Sequence, residues 1–221
     1  MRKFILATGE VYHVFNRGVE KRPTFTDKRE YQRAMMTLDF YRFDHPKMGL
    51  AKALQLDMES RQVFFAKLKK EGKKLVELIC YCLMPNHFHL LLKQKTDGGI
   101  TQYLKNFANS YSRYFNTKHK RVGPLFQGVF KAIRIEDEDQ LLHVSRYIHI
   151  NPTVEYLVNK DGLISYDWSS LPEYLTLQKE EICDKDMVLK NFSSPKKYRN
   201  FLYDQIDYAR EIEAIKHLIM E

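Results

Sequence analysis

The sequence predicts an α+β protein built on an antiparallel sheet. Short runs rich in valine and aromatic residues alternate in polarity, as half-buried strands do, whereas longer segments between them repeat apolar residues at helical spacing. Two apolar runs, residues 75–83 and 84–92, are joined through Pro85-Asn86, a dipeptide that favours a tight turn. These two runs therefore predict a β-hairpin near the middle of the chain.

The first part of the chain predicts one strand and one helix. Residues 10–16 are rich in aromatic residues and valine and form the strand, which ends at Arg17-Gly18. Asp27 can cap the helix that follows, and His45-Pro46 breaks that helix. The apolar side of the helix carries Tyr31, Ala34, Met35, Leu38 and Tyr41.

Residues 50–74 are helical in pattern, and we interpret residues 44–74 as an insertion between the first helix and the second strand. Ser60 can cap a helix here, and Gly72 can end it. A lysine cluster in this insertion is either a solvated face or a DNA contact, and both interpretations are open. The cluster comprises Lys67, Lys69, Lys70, Lys73 and Lys74.

A long helix and a fourth strand follow the hairpin. Apolar and aromatic residues repeat at helical spacing from Ile100 to about Thr117. A basic loop occupies residues 118–124, and residues 127–135 then alternate in polarity as a strand does.

The order of the elements predicts the topology. Asp137 can cap a helix over residues 138–151, which we expect Pro152 to stop. The chain then resembles a ferredoxin-like split βαβ antiparallel sheet with helices on one face, an inserted helical segment and a C-terminal helical extension. We expect one domain over residues 1–175 and a helical appendage over residues 176–221.

Composition and charge favour a polyanionic partner. The 36 lysine and arginine residues exceed the 28 acidic residues, which gives a net charge of +8, and 14 tyrosines and 14 phenylalanines could stack on bases. The alternative interpretation is a basic soluble protein without such a partner, which would show the same excess of positive charge. Three cysteines form no disulfide framework, and no segment reaches the roughly 20 apolar residues of a membrane span. We therefore expect a cytoplasmic protein without a membrane partner.

Two histidines on the second strand of the hairpin are the first candidate site residues. Alternate strand side chains share a face, so His87 and His89 lie side by side while Phe88 points away. Tyr147 and Asn151 are four residues apart and therefore share one face of the last helix. Together these residues can form a His-His-Asn ligand set with a phenol beside it, and mixed nitrogen and oxygen ligands suit Mg²⁺ or Mn²⁺ with a bound phosphate.

This constellation resembles the HUH single-tyrosine (Y1) transposases of the IS200/IS605 type and the related transposases associated with repetitive extragenic palindromes (REP). The similarity extends over residues 10–168. It rests on four blocks in the same order, residues 12–18, 81–89, 125–133 and 147–152.

The resemblance implies a transposase that cleaves and rejoins single-stranded DNA beside a hairpin. Tyr147 would be the nucleophile that forms a 5′-phosphotyrosine, and His87, His89 and Asn151 would hold Mg²⁺ or Mn²⁺. IS200/IS605 members often have glutamine at the position of Asn151. Because Asn151 precedes Pro152, we expect its side chain to reach the ion from a frayed last turn. A homodimer with the tyrosine in trans and a monomer acting in cis are both open.

Several other residues enter as candidates. Tyr111 and Tyr114 are rival nucleophiles, although their spacing is typical of core packing. His143 lies one turn before Tyr147, whereas His149 should face elsewhere. If the hairpin turn has two residues, Cys82 faces the same side as His89, so a zinc site and a buried apolar cysteine are alternatives. Candidate DNA contacts are His13, Asn16, Arg17, Lys118, Lys120, Arg121, Lys131 and Arg134.

Two further functions remain as alternatives to cleavage by a metal-dependent transposase. One is a domesticated protein that binds DNA or RNA hairpins without cutting. The other is a zinc hydrolase that uses Cys82 and the two histidines.

Overall fold

A four-stranded antiparallel sheet organises the described part of the chain, which in this computed structural model comprises residues 5–44, 48–177 and 181–219, with side chains through residue 212. The strand order is β2-β3-β1-β4. The strands are β1 (Val11–Arg17), β2 (Val76–Met84), β3 (His87–Gln94) and β4 (Lys131–Arg134). This topology confirms the predicted ferredoxin-like class.

Two helices cover one face of the sheet. Helix α1 (Lys28–Tyr41) begins where the Asp27 carboxylate accepts a hydrogen bond from the Glu30 N–H, as predicted, and α4 (Gly99–Lys118) runs beside it. The core between these helices and the sheet includes Tyr12, Val14, Phe88, Leu90, Leu92, Tyr103 and Phe107.

Helix α5 (Glu138–Val154) packs on the opposite face, so the expectation that all helices share one face is wrong for this helix. The reason lies in the sheet, whose second face carries its own apolar residues, among them Ile79 and Leu91. Leu141 and Ile148 of α5 join that cluster and bury it. The two faces of β3 therefore have different neighbours, and the histidine face looks toward α5.

The insertion consists of two helices, α2 (Leu50–Ala53) and α3 (Met58–Glu71). Asp57, not Ser60, caps α3, since the Asp57 carboxylate accepts the Ser60 N–H at 2.9 Å. Gly72 ends the helix as predicted, with its N–H bonded to the Leu68 carbonyl. The predicted break at His45-Pro46 lies outside the described residues.

Two predicted boundaries in the second half were also wrong. Strand β4 is shorter than the predicted 127–135, and α5 continues through Pro152 to Val154. A proline removes one N–H from the helical ladder. Close to the helix end that loss is tolerated, because the Glu155 N–H still reaches the Asn151 carbonyl at 3.0 Å.

Four C-terminal helices complete the described fold: α6 (Leu171–Tyr174), α7 (Asp186–Leu189), α8 (Pro195–Tyr203) and α9 (Ile206–Ile219). Tyr198 and Leu202 of α8 and Ile206 of α9 lie in the core beneath α5. In α9, the Arg210 guanidinium donates to the Thr153 carbonyl at the end of α5. No helix in the described ranges is both long and apolar enough to cross a bilayer.

A buried hydrogen-bond chain joins α5 to the sheet and to α8. The His149 ring lies 2.7 Å from the Ser170 hydroxyl through Nε2 and 2.7 Å from the Tyr198 hydroxyl through Nδ1. Ser170 in turn contacts the backbone of Tyr81 on β2. Burial lowers the pKa of His149 to about 3, so the ring is neutral and bonds through one donor and one acceptor nitrogen.

Replacing Tyr198 by phenylalanine should lower the free energy of unfolding by about 1–3 kcal/mol, because it leaves the His149 Nδ1 without a partner in a dry interior. Chemical denaturation monitored by circular dichroism measures the change. Tyr208→Phe is the matched control, since Tyr208 is exposed on α9 and its hydroxyl is solvated. Equal stability of the two variants would contradict this role for the His149 chain.

Candidate active site

A cleft of about 300 Å³, here called the histidine cleft, opens between the sheet and α5. Antiparallel register builds its floor, because it pairs Arg17 with His87 and Phe15 with His89. The tight turn at Pro85-Asn86 places both histidines at the start of β3. The lining also includes Asn16, Gln127, Val129, Lys131, Tyr147 and Glu155.

The two cleft histidines are held by neighbouring side chains. His87 Nδ1 lies 2.6 Å from the Asn86 side-chain oxygen, an acceptor, so Nδ1 carries the proton and Nε2 keeps its lone pair. His89 Nδ1 lies 2.9 Å from His13 Nε2. When His89 donates in that bond, its Nε2 lone pair is available as well. In metal sites, hydrogen bonds of this kind to the second ring nitrogen orient the histidine ligands.

Burial keeps these imidazoles neutral. It lowers the pKa of His87 to about 4, with a further contribution from the Arg17 cation, and lowers the pKa of His13 to about 4. Burial and the neighbouring His87 hold the pKa of His89 well below its ordinary value. A neutral imidazole has the lone pair that a metal ligand requires.

Helix α5 places Tyr147 over the histidines of the same chain. The Tyr147 ring is 43% exposed, and it stands edge-on to His89 with 5.3 Å between the ring centres. Its distance to the His13 ring is 6.0 Å. The phenol is therefore accessible from the cleft while its ring is held by the two imidazoles.

Asn151 lies one turn beyond Tyr147 and is only 1% exposed. Its side-chain oxygen accepts no well-formed hydrogen bond, although it lies close enough to favour the protonated form of His87. A buried polar atom without a hydrogen bond is rare in proteins and lowers the stability of the fold. The predicted fraying is wrong, because α5 continues to Val154 and the Asn151 carbonyl accepts the Glu155 N–H.

Sequence reasoning missed Glu155. Its carboxylate lies 3.4 Å from His87 Nε2 and lines the cleft. Tyr147, Asn151 and Glu155 are spaced by four residues each, which is the signal that could have revealed it. Because Pro152 was expected to stop the helix, Glu155 was not predicted to share that face.

The predicted DNA contacts fall into two groups. Asn16, Arg17 and Lys131 line the histidine cleft, with the Lys131 ammonium 5.9 Å from the Phe15 ring centre. His13 lies behind His89 and is buried. The structure thus brings four of the predicted residues to this cleft or its floor.

The remaining four predicted contacts lie elsewhere. Lys118 pairs with Asp27 and Glu30 of α1, and Arg121 donates to the Asn116 side chain at the end of α4. Arg134 pairs with Glu10 at the sheet edge. Lys120 is exposed in the basic loop.

The rival tyrosines lie away from the cleft. Tyr111 is buried on the opposite side of the sheet, where its hydroxyl donates to the Thr24 carbonyl. Tyr114 packs beside it and carries the Arg33 guanidinium over its ring. Neither tyrosine is near His87 or His89.

Cys82 pairs with His89 across the two hairpin strands, as a two-residue turn predicts. Its sulfur lies 3.7 Å from that of Met84 in the core, and burial holds the thiol pKa well above its ordinary value. His143 is exposed and contacts Arg146, whereas His149 belongs to the buried chain beneath α5.

The cleft residues suit a divalent ion only as a mixed nitrogen and oxygen set. Among the described residues, no group of three or more His, Cys, Asp and Glu side chains is arranged to hold a metal. The predicted set of His87, His89 and Asn151 is of a different kind, with two neutral imidazoles and one amide oxygen that lacks a partner. That oxygen fits a hard cation.

Residues 53–151 match the family model described as "Transposase IS200 like". The matched segment contains both cleft histidines, Tyr147 and Asn151. The resemblance to the IS200-like transposases is confirmed. No curated protein matches the chain.

A solved structure titled "Structure of the REP associates tyrosine transposase bound to a REP hairpin" shares the fold. The TM-score is 0.55 at 12% sequence identity, and the similarity covers 84% of this chain and 96% of that one. The IS200-like segment of this chain therefore sits in a fold already seen for a transposase.

The unpartnered oxygen of Asn151 leads to a stability prediction. In metal-free protein, Asn151→Leu should leave the free energy of unfolding unchanged or raise it by about 1 kcal/mol, because it removes a buried oxygen that accepts no well-formed hydrogen bond. Thermal unfolding in a chelating buffer measures this change.

Gln94→Leu provides the matched control, because Gln94 is equally buried but bonds the Leu6 carbonyl and the Ile100 N–H. It should lower the free energy of unfolding by about 1–3 kcal/mol. A comparable loss in both variants would mean that Asn151 is as well satisfied as Gln94.

Proposed function

We propose that this chain is a metal-dependent single-tyrosine transposase that cleaves and rejoins single-stranded DNA beside hairpins. One observation carries the proposal: Tyr147 stands over two neutral histidines of its own chain, with the unpartnered Asn151 oxygen one turn away. The IS200-like match supports the same function. A protein that only bound hairpins would need no such combination.

His87, His89 and Asn151 would hold Mg²⁺ or Mn²⁺. When bound, the ion polarises the phosphoryl oxygens of the scissile phosphate. Arg17 and Lys131 place two cations on the cleft wall, where they can bind and orient a phosphodiester. His13 and Asn86 keep the two histidines in place through their ring nitrogens.

The reaction is a phosphoryl transfer to the phenol. The Tyr147 oxygen attacks phosphorus, an O–P bond forms, and the bond from phosphorus to the 3′ oxygen breaks. The phenolic proton passes to solvent, and the departing 3′ oxygen takes up a proton to give a 3′-OH. The 5′ phosphate of the downstream strand remains on Tyr147.

The phenol also makes the step reversible. Its ordinary pKa of about 10 lies far below that of an alkanol, so it leaves readily when a 3′-OH attacks the phosphotyrosine. Rejoining then needs no nucleotide cofactor. The same site can therefore cut one strand and join another, as recombination requires.

DNA hairpins with single-stranded tails, labelled at the 3′ end, test the reaction directly. With Mg²⁺ or Mn²⁺ the wild-type protein should form a labelled covalent adduct that survives denaturing electrophoresis, because the downstream fragment stays on Tyr147. Tyr147→Phe should reduce the adduct by at least about a hundredfold, since the ring remains but the nucleophile is gone.

Tyr208→Phe is the control for this experiment and should keep the adduct, because Tyr208 is exposed on α9 and does not line the histidine cleft. An adduct that persists in Tyr147→Phe would move the nucleophile elsewhere. Tight hairpin binding with no adduct under either metal would favour the non-catalytic hairpin-binding protein.

Metal binding separates the transposase from the zinc hydrolase. His87→Ala should weaken Mn²⁺ binding by roughly tenfold to a hundredfold, measured by calorimetry or by the electron paramagnetic resonance of free Mn²⁺. Cys82→Ala should leave it unchanged, because the thiol is buried against Met84. Zinc bound after purification and lost in Cys82→Ala would instead support the hydrolase.

A further inference from the structure

A second cleft, here called the α1–α4 groove, lies on the outer side of the layer formed by helices α1 and α4. Its volume is about 510 Å³, larger than that of the histidine cleft. The layer covers the face of the sheet that points away from the histidines. Residues that define the groove are Arg33, Tyr41, Asn106, Asn109, Arg113 and Tyr114.

The two arginines of the groove lack a counter-charge. Within the described ranges, neither Arg33 nor Arg113 forms an ion pair, and no carboxylate lines the groove. The Arg33 Nε atom is buried without a hydrogen-bond partner. Its guanidinium lies 5.2 Å from the Tyr114 ring centre, within the range of a cation–π contact.

Neighbouring cations in this layer have carboxylate partners, although the Nε of Arg42, like that of Arg33, lacks a hydrogen bond. Lys118 at the end of α4 reaches Asp27 and Glu30, and Arg42 at the end of α1 reaches Asp39. Arg33 stands out, because burial lowers the pKa of its guanidinium while no anion compensates it. A partly desolvated cation of this kind is stabilised by an added anion.

The groove chemistry matches a nucleic-acid backbone. A guanidinium presents a planar fork to phosphate oxygens, and tyrosine rings give stacking surfaces for bases. Asn106 and Asn109 add neutral donors and acceptors along the same side of α4. The histidine cleft is the smaller of the two, at about 300 Å³, and a hairpin extends well beyond a cleft of that size, so the rest of a hairpin substrate needs another contact surface.

We propose that the α1–α4 groove binds the phosphate backbone of the DNA substrate through Arg33 and Arg113, away from the cleavage site. The assignment to DNA rests on the proposed function. The groove would then hold the uncut part of the substrate while the histidine cleft receives the scissile strand.

Fluorescence anisotropy of a labelled DNA hairpin with single-stranded tails tests this in a chelating buffer, where no cleavage occurs. The double variant Arg33→Ala/Arg113→Ala should bind at least roughly tenfold more weakly. The plot of log affinity against log salt should become shallower by about two, because each lost phosphate contact removes close to one unit.

The control is Lys67→Ala/Lys70→Ala, which removes the same charge from exposed positions on α3. It should bind within about twofold of wild type, since these lysines lie outside the groove. Equal losses in both double variants would overturn the groove as a specific site. Unchanged affinity and salt slope in the arginine variant would overturn it directly.

Arg113→Ala alone is a second variant that should fold normally, because Arg113 is exposed and has no described packing role. It separates a loss of DNA contacts from a loss of the fold. It should show a salt slope shallower by about one at an unchanged melting temperature. Covalent adduct formation on a short unstructured strand should be unaffected in all three variants. If the wild-type protein binds hairpins through the groove but forms no adduct, the proposed cleavage fails and the groove assignment stands.

Discussion

The position of α5 on the histidine face of the sheet is the constraint on which the candidate site depends. Neutral His149 fixes that position, since its two ring nitrogens bond Ser170 beside β2 and Tyr198 on α8. Arg210 of α9 holds the far end of the helix. Because Tyr147 projects from the same helix, its place over His89 depends on contacts that His149 and Thr153 make elsewhere on α5. The C-terminal helices are therefore part of the site's support.

Some buried polar groups of the described chain have hydrogen-bond partners and others have none. His149 and Gln94 bond on both sides and hold elements together. The Asn151 oxygen and the Arg33 Nε do not. Arg33 lines the α1–α4 groove, and Asn151 is buried one helical turn from Tyr147, which lines the histidine cleft. An unsatisfied group lowers stability unless a ligand restores its partner. A ligand that reached either atom would relieve that cost.

Local pattern was sufficient for much of this structure. Alternation placed the strands and both cleft histidines, the Asp27 cap began α1, and spacing by four put Tyr147 and Asn151 on one face. The predictions that were wrong concerned features that depend on tertiary contacts. Neighbouring contacts carried α5 past Pro152, and the contact of His13 with His89 depends on strand pairing. The arginines of the α1–α4 groove are unpaired because no acidic residue of the described chain lines the groove in the folded state. The order of residues along the sequence does not show this.

One chain supplies both the tyrosine and the histidines of the candidate site. Mixing Tyr147→Phe with His87→Ala tests it most directly, because each variant lacks a different half. The geometry of the single chain predicts that the mixture forms no adduct on a 3′-labelled hairpin, while either variant mixed with wild type retains the wild-type signal. A covalent adduct from the two inactive variants together would contradict the account, since it would require Tyr147 of one molecule to act over the histidines of another.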